Sequence, residues 1–269
     1  MPPLNPRQLA LDCLLEADVQ RKLALTAAAS AAIASAADWE DEVDKPAIVA
    51  IPVPGRPTTP LLVPPNQLLQ RKLNSATGRA ALVHAVAHIE FNAINLAWDA
   101  VYRFPGMPAE YYRDWASVAA DEARHFQLLA ARLAELDHAY GDFPAHNGLW
   151  QMALATAADV MVRMALVPRV LEARGLDVTP GMIERLRRVG DLATIAVLEV
   201  ILSEEVRHVA IGSRWYAQIC ASRGLQPRET FLALLREHAV ALRLPFNVTA
   251  RLNAGFDPIE LDALTLLAV

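Results

Sequence analysis

Apolar residues recur at spacings of three and four through most of the chain, which is the repeat of a helix with one buried face. Runs in which β-branched and polar residues alternate are nearly absent, so no sheet is expected. Clusters of proline and glycine separate the apolar stripes into successive segments of helical length. The pattern predicts an all-α protein.

Four long helices are predicted in the middle of the chain, and they are called predicted helices A to D. Helix A is expected over about 67–104, B over 108–140, C from 147 to at least 172, and D as far as 222. Gly175 and Pro180 are expected to break or restart helix C, and Gly190 is an alternative start for helix D. A shorter helix over about 230–244 and a tail complete the pattern.

The ends of the chain differ from this middle part. Residues 6–37 are rich in alanine and predict one or two helices, while residues 38–66 contain seven prolines and predict an extended strap on the surface. We therefore divide the chain into an N-terminal helical segment and strap packed on the bundle (1–75), a four-helix bundle (76–225), and a C-terminal helix and tail (226–269).

Two short stretches of the chain nearly repeat each other, and each contains Glu-x-x-His: Glu122 with His125, and Glu205 with His208. Residues three apart on a helix project about 60° apart, so each carboxylate and imidazole point to one place. Such a pair suits a metal that accepts both oxygen and nitrogen ligands. A single pair is weak evidence, because exposed pairs of this kind are common on helices.

The helical faces strengthen the case for a metal. Glu122 shares its stripe with apolar residues such as Phe126 and Leu129, and Glu90 shares its stripe with Val86 and Ile94, so both carboxylates face the core. Burying one carboxylate without compensation costs several kcal/mol, by an order-of-magnitude estimate. A bound metal is the simplest compensation.

The spacing of the acidic residues also repeats. Glu90 precedes Glu122 by 32 residues, and Glu172 precedes Glu205 by 33. Bundles that hold two metals use one Glu from each of two helices and Glu-x-x-His from each of the other two. The midpoints between successive acidic residues fall at 106, 147 and 188–189, on or beside turn signals. The candidate metal ligands are Glu90, Glu122, His125, Glu172, Glu205 and His208.

The helix C ligand has an alternative. If the chain reversed at 175–180, Glu172 would lie near a helix end and Asp159 would replace it; we prefer Glu172, and Pro168 could introduce a kink that aims it. His84 and His88, four residues apart, could also bind a metal, but a structural role is preferred for them.

The six candidate ligands resemble those of the ferritin-like di-iron carboxylate superfamily, over residues 80–220. Stretches 171–177, 190–191 and 205–215 are more narrowly similar to a bacterial ferritin-like family of unknown function, which supports Glu172 over Asp159. The resemblance implies a ferritin-like four-helix bundle, here with extra N-terminal helices, a Pro-rich strap and a C-terminal helix.

The resemblance also implies a function. The expected cofactor is two metal ions, with iron preferred and manganese or a mixed Mn/Fe pair as alternatives. The expected activity is that of an O₂-activating oxidoreductase or hydroxylase on an unknown substrate, served by an electron-donor protein. The alternatives are a ferroxidase or iron-handling protein, and a non-catalytic interaction protein with a structural metal site. About 75 additional N-terminal residues argue against a storage cage.

Composition limits the setting of this function. The chain has 269 residues, 54% of them hydrophobic, yet the best candidate for a membrane span, the uncharged run Leu23–Ala37, is shorter than the roughly 20 residues that a span needs. A net charge of −5 gives no general footprint for nucleic acid. No secretion signal is visible, and two lone cysteines, Cys13 and Cys220, favour a reducing cytoplasm. A homodimer is one option for assembly.

Overall fold

The computed structural model describes residues 4–37 and 48–268 of the chain. Within those ranges, the regular secondary structure is helical, and the pairing of extended segments is limited to an isolated bridge between Leu62 and Ala145. The prediction of an all-α protein is therefore confirmed. The chain divides into two compact units, Met1–Leu154 and Ala155–Val269, here called the N-terminal and C-terminal units.

The N-terminal unit is built around a long antiparallel helix pair, α3 and α4. Ser75 caps α3 by accepting a hydrogen bond from the Gly78 amide, and the turn between the two helices places Gly106 at φ +74°, which favours glycine. Helix α1 packs on α3, and α2 packs on α4. The helices of this unit are α1 (Pro6–Leu15), α2 (Val19–Ser35), α3 (Ala76–Arg103), α4 (Ala109–Glu135) and α5 (Gly148–Ala155).

Buried polar contacts attach the first two helices to α3. Each of these contacts joins residues more than 70 positions apart, so they form only in the folded unit. Such contacts fix the orientation of the packed helices, because a buried polar group without a partner is costly. They are Arg7 Nε to Tyr102 O (3.1 Å), Trp98 Nε1 to Thr26 Oγ1 (3.0 Å) and Lys22 Nζ to Asn95 Oδ1 (2.7 Å).

The described part of the Pro-rich strap, residues 48–66, contains no α-helix or strand, and its end lies in a short 3₁₀ helix, Pro65–Gln67. Its backbone joins the loop before α5 through Val63 N to Ala145 O at 2.8 Å, and Trp150 Nε1 donates to Pro52 O at 3.1 Å. Ile51 is buried, so the strap does not lie wholly on the surface. The first part of the predicted strap, 38–47, lies outside the described residues.

The C-terminal unit is built around a second long helix pair. Helix α6 continues directly into a six-residue π-helix and then into α7, and α8 returns along them after a turn with Gly190 at φ +71°. The elements of this unit are α6 (Val160–Leu166), the π-helix (Val167–Glu172), α7 (Ala173–Arg188), α8 (Leu192–Ser222), α9 (Pro227–Glu237), α10 (Val248–Asn253) and α11 (Pro258–Leu267).

The predicted break at Gly175 and Pro180 is wrong, because α7 passes through both residues. Proline has no amide hydrogen to bond the carbonyl four residues earlier, which is that of Leu176. Asn247 supplies the missing donor, since its Nδ2 lies 3.2 Å from Leu176 O. The chain therefore reverses at 189–191, next to the predicted midpoint at 188–189.

Several helix ends also differ from their predicted positions. Helix α3 begins at Ala76 and not near 67, because Ser75 caps it there. Predicted helix C is interrupted between α5 and α6, where Asp159 caps α6. Helix α9 ends at Glu237 and not near 244, and Ala239, two residues later, adopts φ +48°, which a helix cannot contain.

One of the described helices, α3, is long and apolar enough to cross a membrane by length and composition alone. However, 78% of its apolar window is buried inside the structure. Burial of this kind is what a core helix shows, so the apolar character of α3 is explained by packing.

Candidate metal centre

Three of the six candidate ligands lie together in the core of the N-terminal unit. Glu90 comes from α3, and Glu122 and His125 come from α4; one ligand atom from each lies within 4.8 Å of the others. The relative exposures are 4% for Glu90, 1% for Glu122 and 0% for His125. We call these three residues the first half-site.

The helix pair places these side chains at one level. Glu90 and Glu122 are each 16 residues from Gly106, which lies in the connecting turn, so antiparallel packing brings them opposite each other. His125 follows Glu122 by three positions and projects from nearly the same side of α4. The sequence spacing is therefore sufficient to explain the geometry of the first half-site.

The imidazole of the first half-site offsets part of the carboxylate charge. His125 Nδ1 lies 3.2 Å from Glu90 Oε2 and 3.6 Å from Glu122 Oε2. Burial alone would favour a neutral ring, but hydrogen bonds and charges from Glu122 and Glu90 outweigh it and raise the pKa of His125 to about 11. A protonated His125 thus offsets part of the carboxylate charge, and a metal would replace that proton.

The other three candidate ligands belong to the C-terminal unit. Glu172 is the last residue of the π-helix, and Glu205 and His208 lie on α8. His208 is fully buried, and its Nδ1 lies 3.4 Å from Glu205 Oε1, while the Glu205 side chain is 12% exposed. Oε2 of Glu172 is shielded from solvent. We call these three residues the second half-site.

The π-helix has a cause in the sequence. Pro168 cannot donate the hydrogen bond of a regular helical turn, and the Ala173 amide bonds Pro168 O, five residues back. The turn therefore contains one extra residue, which changes the direction in which Glu172 projects. Gly212 on α8 faces this turn, and a Cβ there would lie 2.3 Å from Pro168 Cβ, so only glycine allows the two segments to approach so closely.

The structure gives Asp159, the alternative to Glu172, a different role. Its side chain caps α6 by accepting from Met161 N at 2.7 Å, and it pairs with Arg223 at 2.7 Å. Although burial acts in the opposite direction, hydrogen bonds from Arg223 and the cap hold the pKa of Asp159 below its usual range. These contacts favour Glu172 as the candidate ligand of predicted helix C.

His84 and His88 have structural roles, in agreement with the preferred interpretation. His84 Nε2 accepts from Gly141 N at 2.9 Å, and His88 lies between the Tyr140 hydroxyl at 2.9 Å and the His146 carbonyl at 3.1 Å. Burial lowers the pKa of both histidines to about 4, so both rings are neutral. They attach α3 to the loop that follows α4.

Sequence reasoning did not identify the ion pair between Arg169 and Glu260 near the second half-site. Arg169 lies in the π-helix, three residues before Glu172, and forms a buried ion pair with Glu260 of α11 at 2.6 Å. The signal in the sequence is weak: Arg169 is a single charge among apolar neighbours, in Val-Pro-Arg169-Val-Leu, and Glu260 lies in an acidic stretch between Asp257 and Asp262. Their pairing depends on contacts between distant segments.

A family model described as "Protein of unknown function (DUF455)" matches residues 15–262. The chain belongs to this family. An uncharacterized protein of Haemophilus influenzae is 45% identical to this chain over 214 residues, which cover 77% of this chain and 74% of that protein. No solved structure matches the chain. The matched residues include both half-sites, but the family description states no activity. The function is therefore argued from the residues themselves.

Proposed function

We propose that this DUF455 protein binds two metal ions and activates O₂ as an oxidoreductase of the ferritin-like di-iron carboxylate superfamily. The observation that carries the proposal is the first half-site, in which two buried carboxylates and an imidazole converge in the core of the N-terminal unit. A buried Glu/His cluster of this kind could hold a metal ion. The proposed ligands are Glu90, Glu122, His125, Glu172, Glu205 and His208.

The second half-site supports a pair of metals. Each unit contains a long helix pair in which the first helical segment carries a lone Glu and the second helix carries Glu-x-x-His. Two such pairs together contain the ligand set of di-iron carboxylate bundles, with four carboxylates and two imidazoles for two metals. Oxygen and nitrogen ligands suit iron and manganese better than metals that prefer sulfur, and we propose iron.

The residues of the site would bind the metals and control protons. His125 would release its proton on metal binding, because a ligating imidazole is neutral. The burial of the first half-site would exclude bulk water, and Glu122 and Glu90 would neutralise the metal charge. Bound as ferrous ions, the metals would supply electrons that reduce O₂ to an oxidant able to attack a C–H bond. An electron-donor protein, an organic substrate and a cytoplasmic location belong to the same proposal.

Metal analysis tests the ligand set. Metal-free protein is reconstituted with Fe(II) without oxygen, excess metal is removed, and iron per chain is measured; a parallel sample receives Mn(II). We expect about two metals per chain. Fewer than about one would overturn the two-metal assignment.

The reaction with O₂ separates the candidate activities. We expect the ferrous protein to show a metal-dependent change in its optical spectrum after mixing with O₂, and a ferredoxin and its reductase to accelerate reduction of the oxidised site. Growth of large iron-loaded assemblies would instead favour iron handling. Absence of any metal-dependent change would favour a structural metal site in an interaction protein.

A further inference from the structure

The π-helix that carries Glu172 is held in place by the C-terminal segment of the chain, residues 246–260. Arg169 Nη2 donates to Glu260 Oε1 at 2.6 Å, and both residues are 4% exposed. Charge-assisted hydrogen bonds at this distance are strong, and removal from water makes each partner dependent on the other. Glu260 is therefore connected to Glu172 through a residue of the same short helix.

Aromatic rings enclose the guanidinium of Arg169. Its Cζ lies 4.9 Å from the ring centre of Tyr216 and 4.5 Å from those of Phe231 and Phe256. The rings belong to α8, to α9 and to the loop before α11. Planar stacking of this kind fixes the direction of an arginine side chain, so the cage and Glu260 together define the position of Arg169.

A second buried ion pair holds the other side of Glu172. Arg251 of α10 binds Asp177 of α7 with two hydrogen bonds, at 2.9 and 2.7 Å. Its guanidinium also lies 4.3 Å from the ring centre of Phe246. The C-terminal segment therefore forms ion pairs with Arg169 and Asp177, which lie on either side of the proposed ligand Glu172 in the sequence.

The π-helix needs such support. A π turn is less favourable than an α turn, and it persists in proteins where surrounding contacts maintain it. Loss of the extra residue would shift the register by one position and rotate Glu172 by about 100° around the helix axis. A rotation of that size would remove its carboxylate from the position the π-helix gives it.

We propose that Glu260, acting through Arg169, positions Glu172 for metal binding, so that the C-terminal segment determines the affinity of the second half-site. The inference rests on the proposed function, because it takes Glu172 as a ligand. Glu260 and Arg169 are positioning residues in this account, since neither is a proposed ligand. Their effect should therefore be seen in metal binding itself, whether or not the substrate is known.

The test compares three proteins by titrating the metal-free full chain with Co(II), which reports on coordination through its visible absorption. The single variant Glu260→Gln keeps the shape of the side chain but removes its charge. The double variant Arg169→Met with Glu260→Leu removes both charges and fills the same space, so no buried charge is left unpaired. Glu184→Gln, an exposed carboxylate on α7, serves as the control.

We expect the wild-type protein and the control to bind two Co(II) ions. In both charge variants, we expect one of the two ions to bind about 10- to 100-fold more weakly, with an altered spectrum, while the other binds as in the wild type. A loss confined to one ion is the signature of positioning, because a general loss of folded structure would weaken both.

The outcomes separate the two proposals. If the wild-type protein binds fewer than about one Co(II) per chain, the proposed function fails. If the wild type binds two ions and the double variant binds both with unchanged affinity and spectrum, only the role of Glu260 and Arg169 is overturned. Equal weakening of both ions, accompanied by loss of helical circular dichroism, would also overturn it.

Discussion

The two half-sites carry the same motif but are positioned in different ways. In the first, regular helices place the ligands, and the side chains of Glu90, Glu122 and His125 contact one another in a fully buried core. In the second, Glu172 depends on a π-helix, and the Glu205 side chain retains 12% exposure. The ligands of the first half-site contact one another, whereas a ligand of the second lies on a π-helix that contacts from outside the motif hold.

The ligands of the two half-sites are thus positioned by two different kinds of contact. In the first half-site, the contacts of His125 with Glu90 and Glu122 hold the ligands in place before metal binds. The proton on His125 must then leave when the metal binds. A ligand on a π-helix can be adjusted through the segments that pack against it. The same contrast predicts which substitutions should be severe and which should be mild.

The largest expected effect is at His125. In metal-free protein, His125→Ala removes the protonated imidazole that lies against the buried carboxylates of Glu90 and Glu122, and we expect the free energy of unfolding to fall by about 3 to 5 kcal/mol. His208→Ala creates a similar cavity beside the partly exposed Glu205 and should cost less. Urea unfolding of both variants measures the difference, and Glu110→Ala, on the exposed face of α4, should stay within about 1 kcal/mol of the wild type. Equal losses at His125 and His208 would contradict the contrast between the half-sites.

The next effect concerns the buried cations of the two units. Lys22 in the N-terminal unit is fully buried and bonds neutral oxygens of Cys13 and Asn95, and burial lowers its pKa to about 7. Between pH 7 and 9 the unfolded chain keeps this proton while the folded protein releases it. Stability should therefore rise with pH in this window, by no more than about 1.4 kcal/mol per pH unit, the limit for one proton.

Lys22→Met is the matched variant for this measurement. Denaturant unfolding at pH 7, 8 and 9 should show a smaller increase in the variant than in the wild type. In the C-terminal unit, the buried Arg169 and Arg251 instead pair with carboxylates. A pH dependence that survives in Lys22→Met would show that other groups cause it.

A smaller effect is expected where α7 passes through Pro180. Asn247→Ala removes the donor to the Leu176 carbonyl and a cap of α10, and should cost about 1 to 2 kcal/mol. In a Pro180→Ala background, the new backbone amide can bond Leu176 O, so the same substitution should cost less. A double-mutant cycle by thermal unfolding measures this coupling. Additive effects would mean that Asn247 acts only as the cap.

The smallest effect is expected at Asp159. It pairs with Arg223 at a site where both side chains are more than a third exposed, so Asp159→Asn should cost below about 1 kcal/mol in a urea unfolding experiment. Metal content should be unchanged, whereas Glu172→Gln should lower it. Loss of metal in Asp159→Asn with retention in Glu172→Gln would reverse the assignment of the helix C ligand.

Much of the fold and of the first half-site could be predicted from the sequence. The spacing of apolar residues predicted the helical class. The interval from Glu90 to Glu122 predicted that two antiparallel helices bring these carboxylates opposite each other. The absence of an α-helix from the described part of the strap also agrees with its prolines, although a short 3₁₀ helix, Pro65–Gln67, ends it. The errors came at helix ends and at Pro180, where a local rule predicted a break that a distant side chain prevents.

The sequence by itself determined the helical period and the repeated Glu-x-x-His motif. It also determined that a turn lies midway between each lone Glu and the Glu of the motif that follows it. These features depend only on geometry within one helix or one helix pair. The tertiary structure decided how Glu172 is presented and why α7 continues through Pro180. Those features depend on Arg169 with Glu260, 91 residues apart, and on Leu176 with Asn247, 71 residues apart. Hydrogen bonds between such distant residues form only when packing brings the residues together, and no local spacing encodes them.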